Sequence, residues 1–160
     1  MTSGDVSARW AALGDRTRVR IVGLALGLPA AGVIGVARWL TPSPEGFGTH
    51  QQLGLAGCTM LTLTGWPCPM CGMTTTFSLL AHFRGIEAFA NQPFGPVLFL
   101  GTLLVAVGGI VDAATGWDVL GWGKSKILRH EGRWAFVLFV GLFLGWAYKS
   151  VRMHPEVFGG

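Results

Sequence analysis

Three long apolar stretches punctuate the chain. From Ile21 to Ala37 no charged residue appears, and Arg20 and Arg38 bound the run with aliphatic stems able to reach toward either membrane interface. A second run, Phe94 to Val111, opens on Gln92-Pro93, which sets a proline where the first N–H of a helix needs no partner, and closes at Asp112. The third, Trp134 to Tyr148, spans only about 22 Å at roughly 1.5 Å per helical residue, short of a hydrocarbon core of about 30 Å. Trp134, Trp146 and Tyr148 suit an interfacial aromatic belt there, and Arg133 and Lys149 can snorkel to extend it. No segment shows the repeated dyad alternation of barrel strands, and a span in lipid must satisfy its own backbone. The pattern therefore predicts an all-α integral membrane protein with about three transmembrane helices, at 21–40, 93–112 and 134–150.

Small residues recur along two of these runs. Gly23, Gly27, Ala31 and Gly35 share one helical face, and Gly141 and Gly145 repeat the spacing in the third run, which predicts close packing of the first helix on the third. Pro29 predicts a kink in the first. The stretch Thr41 to Glu45, with two prolines, reads as a turn, and 41–92 as a loop carrying a surface or re-entrant helix.

Composition agrees with a membrane solvent: half of the 160 residues are hydrophobic and 12% charged, more apolar than a soluble surface of this size tolerates. The length suits a single membrane domain. The net charge of +4 forms no stripe with interleaved aromatics, so no nucleic-acid partner is expected. Instead Arg9, Arg16, Arg18 and Arg20 precede the first run, and Lys124, Lys126, Arg129 and Arg133 separate the later two. That distribution predicts a cytoplasmic leader at 1–20, a cytoplasmic basic loop at 113–133 and an external tail at 151–160. The first run, although Gly35-Val36-Ala37 resembles a cleavage site, is longer than a signal-peptide core and reads as a retained anchor. Trp117, Leu120, Trp122, Ile127 and Leu128 among the basic residues suit a lipid-facing segment. The lipid bilayer is the expected partner, with a membrane-protein partner or a second copy as further expectations.

Candidate chemistry is concentrated in Gly65-Trp66-Pro67-Cys68-Pro69-Met70-Cys71-Gly72-Met73-Thr74-Thr75-Thr76-Phe77. Two intervening residues let the sulfurs of Cys68 and Cys71 turn to one side of a first helical turn, suiting a disulfide, a redox pair or shared ligation of a soft metal. A helix is predicted from Met73 to about Ala90, carrying Phe77, Leu79, Leu80, Phe83, Ile86 and Phe89, with the cysteines capping it and a threonine hydroxyl available to its free N–H groups. A zinc set of Cys68, Cys71, Cys58 and His50 has a fitting composition, but His50 and Cys58 align poorly and no second Cys-x-x-Cys follows. Gly72 after the second cysteine disfavours haem attachment. Cys58 reads most simply as a small buried apolar residue, His82 as a satisfied or interfacial imidazole, and Asp112 as an interfacial carboxylate.

Cys68-Pro69-Met70-Cys71-Gly72-Met73-Thr74, a helix with His82 and Gly85, and Gln92-Pro93 opening an apolar run resemble the DUF2752 family of bacterial membrane proteins. The resemblance covers about Gly65 to Gly109 and rests on a CPxCGxT motif. It implies a multi-pass protein of the bacterial inner membrane with no established activity, and nominates Cys68, Cys71, Gly72, Thr74 and His82. Three positions depart from the family pattern: Thr75 stands where an arginine is frequent, Phe83-Arg84 interrupts a His-Gly pair, and Gln92 replaces an asparagine.

The functional expectation is a structural or interaction module, or a complex subunit, whose loop is stabilised by Cys68 and Cys71, with Trp66 and Pro69 shaping the turn. A membrane thiol/disulfide redox protein using the same pair is the alternative, and a metal-binding or small-solute transport component the third. No cofactor is required by the first two; zinc or another soft metal belongs to the third. No hydrolase, phosphate-loop or nucleotide motif is present.

Overall fold

The computed structural model describes residues 14–121 and 131–158. All regular structure among them is helical: α1 Asp15–Trp39, a 3-10 turn Thr49–Leu53, α2 Thr59–Thr64, α3 Met73–Ala81, α4 Gly85–Asn91, α5 Gly95–Thr115, α6 Glu131–Met153 and α7 Pro155–Phe158. Three of these are long and apolar enough to cross a membrane: Asp15–Trp39, Gly95–Thr115 and the Gly132–Met153 portion of α6. The third span is therefore not short. Its helix takes in Glu131 to Arg133 and continues past Tyr148, giving 23 residues, or about 34 Å at roughly 1.5 Å each. Charged residues at both ends had truncated the apolar run without ending the helix. Similarly α1 begins at Asp15, so Arg16, Arg18 and Arg20 lie on its first turns, and it runs through Pro29. α5 begins at Gly95, so the proline of its first turn is Pro96 rather than Pro93. Arg9 and the segment holding Trp122, Lys124, Lys126, Ile127, Leu128 and Arg129 lie outside the described residues.

The chain divides into two compact units, one joining the chain up to Gly32 to the segment from Thr102, the other joining Val33–Gly101 to the chain from Glu131 onward. In the first, α1 and α5 touch backbone to backbone. A Cβ on Gly23 would lie 2.6 Å from the Gly109 carbonyl oxygen, and one on Gly27 2.9 Å from the Gly109 carbonyl carbon. The small-residue face of α1 is thus used, but its partner here is α5 rather than α6, and Gly35 meets nothing. Without a hydrophobic force between helices in lipid, such close approach supplies the attraction through dispersion. Asp112, 2% exposed, ends this contact from the α5 side. Its carboxylate accepts the Val119 and Leu120 N–H groups at 2.7 and 3.1 Å, capping the next turn.

In the second unit the C-terminal end of α1, the start of α5 and the end of α6 gather around the loop. Ser78 on α3 donates to the Leu40 carbonyl at 2.6 Å, Gly141 and Gly145 of α6 lie against Phe94 and Gln92, and Phe77 meets Phe99 edge-on at 5.3 Å. The predicted helix from Met73 to about Ala90 is in fact two. His82 ends α3, and the Arg84 and Phe83 N–H groups bond back to the carbonyls of Leu79 and Leu80, closing a Schellman turn. Phe83 occupies its left-handed position at φ 61°. α3 is mostly buried, whereas Phe83, Ile86 and Phe89 of the turn and α4 are exposed, an apolar edge suited to lipid.

Candidate functional site

The loop is anchored by donors from the last turns of α6. Trp146 Nε1–H donates to the Pro67 carbonyl at 2.7 Å, Tyr148 Oη–H to the Ala90 carbonyl at 2.8 Å, and Lys149 Nζ to the Gly46 carbonyl and Asn91 Oδ1 at 3.1 and 2.7 Å. His154 Nε2 reaches the Gly65 carbonyl at 3.0 Å, and its ring lies tilted against Trp66 with centroids 4.6 Å apart. Trp146 and Tyr148 therefore do more than mark a membrane interface, and Lys149, 5% exposed, does not snorkel. The physical reason is the loop backbone: irregular carbonyls surrounded by apolar helices need donors, and α6 provides them.

Gly72 is where this framework meets the cysteine motif. It caps α3 at φ 82°, and a Cβ there would lie 2.6 Å from the Gly46 carbonyl oxygen and 3.2 Å from Lys149 Nζ. Both the left-handed backbone and the close approach require glycine. Asn91 Nδ2 donates to the Gly72 carbonyl and to Thr76 Oγ1. The threonines do not cap the helix: Thr76 Oγ1 donates back to the Gly72 carbonyl, and Thr75 Oγ1 pairs with Thr49 Oγ1 at 2.8 Å, joining α3 to the 3-10 turn. Thr74 instead lines a cavity, and exposed Pro69 shapes the turn between the cysteines. His82 ends α3 with its Nδ1 bonded to the Ser78 carbonyl at 2.8 Å.

All three cysteines are free. Together with His50, Met70 and Thr74 they line a cavity of about 330 Å³. Spacing in the sequence pairs Cys68 with Cys71 and leaves Cys58 as a buried apolar residue. Cys58 is only half-buried and is the N-cap residue of α2, with its side chain beside that of Cys68. The three thiols are tuned apart. The Leu61 N–H holds the Cys58 thiol below its ordinary value, Cys68 adding to the effect. Burial, then the neighbouring Cys58 side chain, raises Cys68. Burial, then the charge of Cys68, pushes Cys71 up to about 11, against the opposing pull of Lys149. A thiol stabilised as thiolate beside a second that stays protonated is the arrangement nucleophilic exchange uses. Among the described residues, no three His, Cys, Asp or Glu side chains are placed to hold a metal ion. A signal for Cys58 was available in sequence only as its separation from the motif, a distance that α2 and the Gly65 turn close.

Three helices long and apolar enough to cross a membrane define a multi-pass helical membrane protein, whose second unit carries a buried polar framework and a thiol-lined cavity. Residues 58–106, less than a third of the chain, match the model of DUF2752, described as a protein of unknown function. The matched region starts at Cys58 and so takes in all three cysteines. No curated protein and no solved structure matches the chain.

Proposed function

We propose that the chain is a thiol–disulfide exchange protein of the bacterial cytoplasmic membrane, with its N-terminus cytoplasmic and its thiols on the opposite side. The observation that carries this reading is the convergence of three free thiols on one cavity, Cys58 being the one whose thiol is held below its ordinary value while the other two are raised. The loop is already tied by α6, Ser78 and Asn91, so a disulfide is not needed to hold it. The Cys58 thiolate attacks one sulfur of a partner's disulfide, and the other sulfur leaves as thiolate and takes up a proton. Cys68, losing its proton, then attacks Cys58 Sγ in the mixed disulfide, releasing the partner's second thiol. Two electrons pass to the partner with two protons, one from Cys68 and one from the solvent that took the Cys58 proton, and the chain keeps a Cys58–Cys68 disulfide; the reverse sequence oxidises a dithiol.

Purified full-length protein equilibrated in glutathione redox buffers tests this, with thiols counted by maleimide mass tags and the pair mapped by peptide analysis. The expected result is two thiols lost together at a potential above about −300 mV, mapped to Cys58 and Cys68 and abolished by Cys58→Ser. Cys58 should alkylate faster than Cys71 at neutral pH, with the gap narrowing as pH rises toward the Cys71 value of about 11. Three thiols reduced throughout, or a Cys68–Cys71 bond that glutathione cannot open, would return the loop to a structural or interaction role. External thiol reagents labelling Cys58 in intact spheroplasts check the orientation; labelling only after permeabilisation reverses it.

A further inference from the structure

A second cavity, of about 410 Å³, lies in the same unit, bounded by the Ser43–Gly46 turn, α4 and the end of α6. Lys149 forms part of its wall. Lys149 is 5% exposed, yet the two partners of its ammonium, the Gly46 carbonyl and Asn91 Oδ1, are neutral. Two of its three protons are committed, and none of the ion pairs among the described residues includes it. A buried cation satisfied only by neutral acceptors keeps an unbalanced charge, which burial makes costly and an anion relieves.

The other charges on the wall leave that balance positive. Arg84 is bound by both oxygens of Glu87 and is neutralised. Arg152 spends Nη1 on the Ala90 carbonyl and Tyr148 Oη, and among the described residues Nη2 and Nε meet no acceptor. Opposing them is Glu45, which is exposed and paired with nothing among the described residues. Lys149 and Arg152 thus face the cavity with a net positive charge and at least three uncommitted N–H groups, the set that an oxyanion accepts from. Both sit in the last turns of a membrane-spanning helix, the level at which lipid headgroups lie. The volume is that of a small-ligand site rather than of a single water.

We propose that this cavity binds a phosphate-class oxyanion, as the phosphodiester of an anionic lipid headgroup or as free phosphate, through Lys149 and Arg152. The site is separate from the thiol cavity and does not depend on the exchange chemistry. Full-length protein in a neutral detergent, titrated with dihexanoyl phosphatidylglycerol, inorganic phosphate or dihexanoyl phosphatidylcholine, tests it by calorimetry and by the shift in melting temperature. The expected result is saturable binding of phosphatidylglycerol or of phosphate over the zwitterionic lipid, weakened about tenfold or more by Arg152→Gln, a loss of one charge-assisted contact. Preference for phosphatidylglycerol identifies the headgroup as the source, and equal binding of inorganic phosphate identifies the free ion. Lys149→Met should abolish binding where it folds; because Lys149 also ties the loop, Arg152→Gln decides the matter if it does not. Binding of neither anion, equal binding of phosphatidylcholine, or affinity unchanged in Arg152→Gln overturns the proposal.

Discussion

In the first unit, helices α1 and α5 meet with little but backbone between them; in the second, helix ends surround side chains that reach across to loop carbonyls. Gly23 and Gly27 lie on Gly109 at distances that leave no space for a methyl group. Around the loop, Trp146, Tyr148, Lys149 and Ser78 each donate to a main-chain oxygen that no helix provides for, and Asn91 adds a donor to the Gly72 carbonyl that opens α3. Regular helices in an apolar solvent have only van der Waals contact to gain by approaching. An irregular segment beside them must be hydrogen-bonded or pay for every orphaned carbonyl. The contrast teaches that the two regions should fail differently: one by steric intrusion, the other by loss of a donor.

The largest effect is expected from intrusion. A Cβ on Gly109 would stand 2.6 Å from Gly27 Cα and 2.7 Å from the Gly23 carbonyl oxygen, so the helices must separate to admit it. Gly109→Ala should destabilise the protein by about 2 kcal/mol or more, despite alanine's better helix propensity, and this is measured by SDS titration in mixed micelles. Gly141→Ala should cost less, because its obstacle is the ring edge of Phe94, which can turn aside. Equal stability of the two variants, or a larger loss for Gly141→Ala, would remove the distinction between backbone contact and side-chain contact.

A donor loss comes next. Ser78→Ala deletes the 2.6 Å bond to the Leu40 carbonyl where both residues are buried, leaving an acceptor that water cannot reach. The expected cost is about 1–3 kcal/mol, with faster amide exchange in α3 and unchanged exchange in the α1–α5 contact. A uniform change across the protein would show that the two regions do not fail separately.

How much of this was readable from the residues follows the same division. Three spans, their order and the Cys-x-x-Cys loop follow from apolar runs and local spacing, since a helix writes its own period into the sequence. The length of α6 was underestimated because Arg133 and Lys149 look like boundaries in a hydropathy pattern, while in the fold one extends the helix and the other is buried by its partners. Gly108-Gly109 in the second run carried the signal for the α1 partner, yet periodicity identifies a face without identifying what covers it. The site was least legible where its contacts are long-range. Lys149 lies 103 residues from Gly46 and 58 from Asn91, and no local pattern announces such pairs. Cys58 belongs to the thiol cavity because a six-residue helix and a left-handed Gly65 return the chain to Cys68.

The smallest effect separates conformational strain from contact. Phe83 holds the left-handed position of the Schellman turn between α3 and α4, a place where glycine carries no Cβ penalty and an aromatic residue does. Its ring is 94% exposed, so it contributes no packing that a substitution would forfeit within the protein. In detergent, Phe83→Gly should therefore raise stability by about 1 kcal/mol, the relief of strain outweighing the greater freedom glycine gives the unfolded chain. In bilayers the balance changes, because the ring beside exposed Ile86 and Phe89 can bury itself at the lipid interface. A gain in micelles that shrinks or reverses in vesicles identifies this edge as a membrane contact. A loss in micelles would show that Phe83 is fixed by packing, and would move the turn into the class of contacts that hold the loop.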